Sequence, residues 1–185
     1  GVGYDTPAST INILNALKET GYTLTATPAT GNDLIAELQR GPTNAGARDR
    51  APSPATLQLS DYQSAFIQLP AKIQQQVIDR WGPPALDPFV AGGAFQLPVR
   101  LYGNAAVAIQ PARGYNIDPK DTYHDPALVP PHGYLAVYIW LRNHFAAHAV
   151  IHNGKHGNLD WLPGKAVGLS AECFPEAALG PMPQL

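Results

Sequence analysis

The sequence predicts a layered α/β fold, with Rossmann-like helices on a short, mostly parallel sheet. Three observations point there. Residues 22–25 read as a short strand and run into a helical pattern that opens at Thr30 and ends at Gly41. The apolar run Ala149-Val150-Ile151 enters a Gly-rich turn, as a buried strand does at the carboxyl edge of an α/β sheet. Nineteen prolines favour many short connections over a long helical bundle.

The elements follow in order. Thr6-Pro7 opens a first helix, with Thr as N-cap and Pro at the first helical position. Ile11, Leu14 and Leu17 give it an apolar stripe, and Gly21 stops it. The second helix turns Leu34, Ile35 and Leu38 inward. Residues 42–58 mix Pro, Gly, Asn, Arg and Ser with little periodicity, which predicts a mobile loop. A helical pattern spans residues 60–81, broken at Pro70 because proline removes a donor and clashes within a helix. Apolar runs on either side of Gly103-Asn104 predict a β-hairpin near 97–110. Residues 111–133 form a Pro- and Asp-rich functional loop, and residues 134–145 a strongly apolar helix.

Composition excludes several functions. The chain has 185 residues, a net charge of −2 and only 14% charged residues. That size suits one domain, or part of one. The near balance of acid and base excludes a strongly basic nucleic-acid binder. No run approaches the ~18 apolar residues of a membrane span. The lone Cys173 excludes an internal disulfide and fits a reducing, cytoplasmic compartment. The chain opens on Gly1 and ends on Pro181-Met182-Pro183-Gln184-Leu185, and so reads as a segment of a longer polypeptide.

All six histidines fall between positions 124 and 156. Histidine is the commonest metal ligand and titrates near neutrality. His144 and His148 lie at the end of the apolar helix, where a dipole interaction accounts for them. His152 and His156 differ. They flank Gly154, precede Gly157, and follow the expected strand; Asp160 comes four residues later. Two imidazoles and a carboxylate form a common divalent-metal set. The same histidine spacing occurs in zinc proteases, but on a regular helix with Glu after the first His. Here glycines interrupt and Asn153 follows His152. A purely structural role for the pair is the other reading. Tyr123-His124-Asp125-Pro126 and Pro130-Pro131-His132 hold polar aromatic rings between stiff prolines, which suits ligand contact or a capped surface loop. Cys173 lacks a basic partner in sequence and reads as structural.

The run from His152 to Lys165, His-Asn-Gly-Lys-His-Gly-Asn-Leu-Asp-Trp-Leu-Pro-Gly-Lys, resembles the signature of the cobaltochelatase large-subunit (CobN-type) and magnesium chelatase H-subunit family. The family pattern is His-x-Gly-x-His-Gly-x-Leu-Glu-Trp/Phe-x-Pro-Gly-Lys. Flanking matches extend it: Gly3-Tyr4-Asp5-Thr6-Pro7-Ala8-Ser9, Tyr102-Gly103-Asn104, Gln110-Pro111, Gly114-Tyr115, Asp118-Pro119 and Gly168-Leu169-Ser170. Lys155, Trp161 and the segments holding His124 and His132 resemble the cobalt branch; the magnesium branch usually has Thr at 155 and Phe at 161. Asp160 departs from the family's usual Glu. A further acidic position of the family lies beyond Leu185.

The resemblance implies ATP-dependent insertion of Co²⁺ into a corrin ring, hydrogenobyrinic acid a,c-diamide, in aerobic cobalamin biosynthesis. A magnesium chelatase H-type protein, or a tetrapyrrole- or metal-binding module without turnover, are the alternatives. The metal is then a substrate. ATP is used by partner subunits, an AAA+ ATPase and a von Willebrand A-like protein, and is not bound here. The chain has no Gly-x-x-x-x-Gly-Lys-Ser/Thr loop, in agreement. His152, His156 and Asp160 are expected to hold the metal and accept protons. His124, His132, Lys155 and Lys165 are expected to contact the corrin, Lys165 through a carboxylate. The segment is expected to be inactive in isolation.

Overall fold

A computed structural model describes residues 3–47, 50–114, 125, 127–154, 157–164 and 170–185, and of Asp160 the backbone only. The first helix, α1, spans Thr6–Glu19. Its cap lies one residue earlier than the sequence suggests: the Asp5 carboxylate accepts from the Ala8 amide at 2.9 Å. Thr6 is thereby the first helical residue. Helix α2, Gly31–Arg40, opens on a reciprocal capping box. Thr30 Oγ1 accepts from the Asp33 amide at 3.2 Å, and Asp33 Oδ2 accepts from the Thr30 amide at 3.0 Å. Ile11 and Leu14 of α1 meet Leu34 and Leu38 of α2 and Tyr102, forming a small core.

Residues 22–25, expected as a strand, are irregular. They lie across the β-hairpin instead. Thr23 O accepts from the Asn104 amide at 2.9 Å. Gly103, at φ +67°, approaches so closely that a Cβ there would sit 2.5 Å from the same oxygen. With its carbonyl spent on a turn, this segment has no ladder to join.

Strands β1 (Thr56–Gln58), β2 (Val90–Ala91) and β3 (Ala94–Gln96) form one antiparallel sheet in the order β1-β3-β2. Strands β4 (Val99–Tyr102) and β5 (Ala105–Ala108) form the expected hairpin, with Val99 opposite Ala108 and Tyr102 opposite Ala105. The mixture of helix and sheet is as expected; the strand direction is not. Every strand pair among the described residues is antiparallel. The loops explain this. Gly92-Gly93, both at positive φ, and Gly103-Asn104 are two-residue connections, which can only reverse the chain. Parallel neighbours need a crossover of a dozen residues or more.

The loop expected at 42–58 is partly built into the fold. Ser53, Ala55 and Leu57 are buried, and Ser53 Oγ donates to Leu97 O at 2.6 Å. Residues 56–58 are β1 itself, too short to show an alternating pattern in the sequence.

The break at Pro70 is where expected, between α3 (Leu59–Phe66) and α4 (Ala71–Trp81). Helix α5, His132–Asn143, is buried over its first nine residues, through Trp140. An apolar surface on all sides makes it the centre of the main core. Tyr62, Phe66, Ile73, Val77, Leu57, Phe95 and Leu97 belong to that core, with Phe174 of the last helix, α6 (Phe174–Leu179). No described helix is long and apolar enough to cross a membrane.

The expected buried strand at 149–151 is a single parallel bridge between Val150 and Gln184. The Val150 amide donates to Pro183 O at 2.9 Å and the His152 amide to Leu185 O at 2.8 Å. Ile151 is 47% exposed. The apolar triplet thus lies at an edge, paired on one side with the last residues of the chain, and not inside a sheet.

Candidate functional site

Helix α5 carries two tyrosines one turn apart, Tyr134 and Tyr138, with ring centroids 5.2 Å apart. Residues at i and i+4 share a helix face, so both hydroxyls reach the same neighbouring segment, 152–158. Tyr134 Oη donates to Asn158 Oδ1 at 2.8 Å, and Asn158 Nδ2 donates to Pro111 O at 2.8 Å. Tyr138 Oη lies 3.5 Å from His152 Nε2. Burial raises the Tyr138 pKa above the ordinary phenol value, against the opposing effect of the Tyr134 hydroxyl and the Gln110 amide. Tyr138 is therefore protonated at neutral pH, a hydroxyl set beside the imidazole.

The other edge of the His152 ring faces Gly157. A Cβ on Gly157 would lie 2.6 Å from His152 Nδ1 and 3.2 Å from Cγ. Real Cβ atoms do not approach so closely, so this glycine is set by the imidazole. Gly154 has no such neighbour: its nearest contact would be Thr6 Oγ1 at 3.9 Å. The two glycines that look equivalent in sequence thus have different reasons.

Asn153 joins this loop to the start of α1. Its Nδ2 donates to Thr10 Oγ1 at 2.8 Å and to Thr6 O at 3.2 Å. Its Oδ1 accepts from the Tyr4 hydroxyl, and Ser9 Oγ lies 3.4 Å from the same oxygen. Beyond Asn158, a 3-10 turn at Leu159–Trp161 carries the backbone of Asp160. Leu159 and Leu162 anchor it in the main core, while Trp161 stays 40% exposed. Buried Arg113 donates to Trp161 O, and to Asp125 O at 3.3 Å, which ties this turn to the Pro-rich segment.

Of the residues expected to act, His152 is placed at this junction. His156, Lys155, Lys165 and His124 lie outside the described residues, as does the Asp160 side chain. Among the described residues no group of three His, Cys, Asp or Glu side chains is placed to hold a metal. His144 is the C-cap of α5, as expected of a helix-end histidine. Buried Cys173 donates to Gly164 O at 2.8 Å.

His132 departs from expectation. It is 1% exposed, at the first position of α5. Its Nε2 lies 2.9 Å from Gly82 O, an acceptor, so Nε2 carries the proton. Nδ1 then accepts from the Tyr62 hydroxyl at 2.7 Å. Asp87 caps the same helix end, with Oδ2 accepting from the Gly133 amide at 2.8 Å and Oδ1 from the Phe89 amide at 2.9 Å. With both nitrogens occupied by protein, His132 can shape a substrate loop only through α5 and not by touching a ring.

Desolvation lowers the His132 pKa below its usual 6.5, outweighing the Gly82 carbonyl and the Asp87 charge. The folded state then binds fewer protons than the unfolded state below about pH 6.5. Stability from this group is present above that pH and is lost as pH falls toward the lowered value. Urea midpoints of wild type and His132→Gln should converge between pH 7.5 and pH 5; a constant gap would contradict the assignment.

Sequence reasoning missed Asn153, Asn158, Tyr134, Tyr138 and Arg113. The signal for the tyrosines was present: two hydroxyls at i, i+4 on an otherwise apolar helix need partners when buried.

Comparison with known proteins gives the family. A family model described as CobN/Magnesium Chelatase matches residues 1–185. The aerobic cobaltochelatase subunit CobN of a Sinorhizobium species is 54% identical over 185 residues, covering 100% of this chain and 14% of that protein. The Pseudomonas aeruginosa protein of the same name is 52% identical over 186 residues, covering 100% of this chain and 15% of that protein. The magnesium-chelatase H subunit of Chlorobaculum parvum is 31% identical over 181 residues, covering 97% and 14%. The solved catalytic subunit of cobaltochelatase from Mycobacterium tuberculosis matches with a TM-score of 0.84 and 40% identity, over 99% of this chain and 16% of that one. The chain thus spans 14–15% of the length of these cobaltochelatase relatives. Matched from its first residue to its last, the chain belongs to the CobN/Magnesium Chelatase family.

Proposed function

We propose that this chain forms the metal-insertion region of a cobaltochelatase large subunit, which places Co²⁺ into a corrin ring in cobalamin biosynthesis. The observation that carries the reading is the gradient of similarity. Identity is 52–54% to cobaltochelatase subunits and 31% to a magnesium chelatase H subunit, over the same residues. The placement of His152 between a tyrosine and an obligatory glycine supports it.

Insertion into a corrin forms four metal–nitrogen bonds, releases the ring's inner N–H proton and displaces water from the metal. It needs a proton acceptor and ligands that dehydrate the ion. His152, His156 and Asp160 take these roles in this reading. Lys155, Lys165 and His124 contact the corrin, Lys165 through a ring carboxylate. ATP is hydrolysed by an AAA+ subunit working with a von Willebrand A-like subunit, in the cytoplasm, and the isolated segment turns over nothing. The lack of a phosphate loop in this chain supports that division.

The test is a spectral titration of the full-length protein with the corrin, then insertion assays with the partner subunits and Co²⁺ or Mg²⁺. Corrin binding with cobalt insertion supports the reading. Binding without insertion favours a carrier module, and magnesium insertion into a porphyrin favours the other branch. Asp160 gives a sharper check. Asp160→Asn keeps the shape and removes the charge, so insertion should fall by roughly 100-fold or more, as for a lost proton-transfer group. Asp160→Glu should retain most activity. Equal rates for wild type and Asp160→Asn would reduce Asp160 to a turn residue.

A further inference from the structure

The loop that carries His152 lies between two cores. The imidazole is set beside Tyr138 of the main core, while the next side chain, Asn153, docks on α1 of the small core. A carboxamide has two N–H donors and one oxygen with two lone pairs. Asn153 spends both N–H groups and its oxygen on one stretch of chain: Thr6 O, Thr10 Oγ1 and the Tyr4 hydroxyl, with Ser9 Oγ 3.4 Å from the same oxygen. These partners also bond one another: Thr10 Oγ1 donates to Thr6 O at 2.9 Å, and, with the Tyr4 proton given to Asn153, Ser9 Oγ donates to Tyr4 Oη at 2.8 Å. The group is a closed network, and each member fixes the others.

A loop containing Gly154 and Gly157 is pliable by itself, since glycine has the widest backbone freedom. Its direction is therefore imposed from outside. Hydrogen bonds saturated in this way set both the position and the rotation of the Asn153 backbone, and with it the neighbouring His152. They also give the opening segment Tyr4–Thr10 a purpose that helix capping alone does not, since Tyr4, Ser9 and Thr10 are not its caps.

We propose that Asn153 is a positioning residue for metal insertion, through which the first turns of α1 orient the loop that presents His152. This rests on the reading of His152 as a metal-handling group.

The test uses the full-length protein with its ATPase subunits. Asn153→Ala removes the bonds to Thr6 O, Thr10 Oγ1 and the Tyr4 hydroxyl. Asn153→Asp keeps the shape but turns an acceptor toward Thr6 O. Both should lower kcat for cobalt insertion by about 10- to 100-fold, the usual loss for a group that orients a ligand. Corrin affinity in the spectral titration should stay within about twofold of wild type. Thr10→Val, remote from the ring, should lower kcat severalfold, and Thr10→Ser should restore it. Adding Thr10→Val to Asn153→Ala should cost nothing further, because the bond is already gone. A lower melting temperature with wild-type kcat per folded molecule would make Asn153 merely structural and overturn the proposal. Wild-type insertion by Asn153→Ala while His152→Ala is dead would overturn it too, and leave the site reading intact. Wild-type insertion by His152→Ala would remove the site reading, and this proposal with it.

Discussion

His152→Ala and His156→Ala, each made in the full-length protein, should abolish cobalt insertion while the corrin still binds. The expected loss is at least roughly 100- to 10,000-fold, the range for a group that transfers protons in the transition state. The fold should survive the first change. The main-chain bond from His152 to Leu185 O is kept by alanine. The contact of the half-buried ring with Tyr138 is a long one, at 3.5 Å, worth about 1 kcal/mol or less. Circular dichroism melts within a few degrees of wild type, beside dead insertion, are the expected pair of results. A variant that unfolds would make the histidine structural; a variant that inserts cobalt normally would remove it from the chemistry.

Gly157→Ala is the second large effect. Its methyl group would lie 2.6 Å from His152 Nδ1, so either the ring or the loop must move. Overpacking of this kind costs about 1–3 kcal/mol. The displaced imidazole should lower insertion by roughly 100-fold, because an ångström of misplacement at a reacting group has that effect. Gly154→Ala is the control. It meets nothing closer than 3.9 Å and should retain activity within a few-fold. Equal losses for the two variants would mean that both glycines serve the backbone and neither serves the ring.

The parts of the fold that local chemistry decides are legible in the sequence. The helices at 6–19 and 31–40, the break at Pro70, and the hairpin around Gly103-Asn104 follow from caps, proline and turn residues. The sheet direction is not legible, because strands of two to four residues carry no period and their order depends on which loops are tight. Gly92-Gly93 is a readable reversal, but the short strands beside it hide its meaning. The triplet at 149–151 misleads because three apolar residues describe an edge bridge as well as a buried strand. His132 misleads for a related reason: a histidine between prolines looks poised for a ligand, and only the packing of Tyr62 and Gly82 against it shows a core residue. The His-x-Gly-x-His-Gly run marks the proposed site through its spacing. The side chains beside His152, Asn153 and Tyr138, make contacts far apart in the chain, which no local pattern records.

In the proposed function the segment around His152 takes hold of the metal. Cobalt K-edge absorption of the full-length protein loaded with Co²⁺ tests it most directly. Imidazole scattering around the metal is expected in wild type, reduced in His152→Ala and kept in Tyr138→Phe. An identical spectrum for wild type and His152→Ala would contradict it.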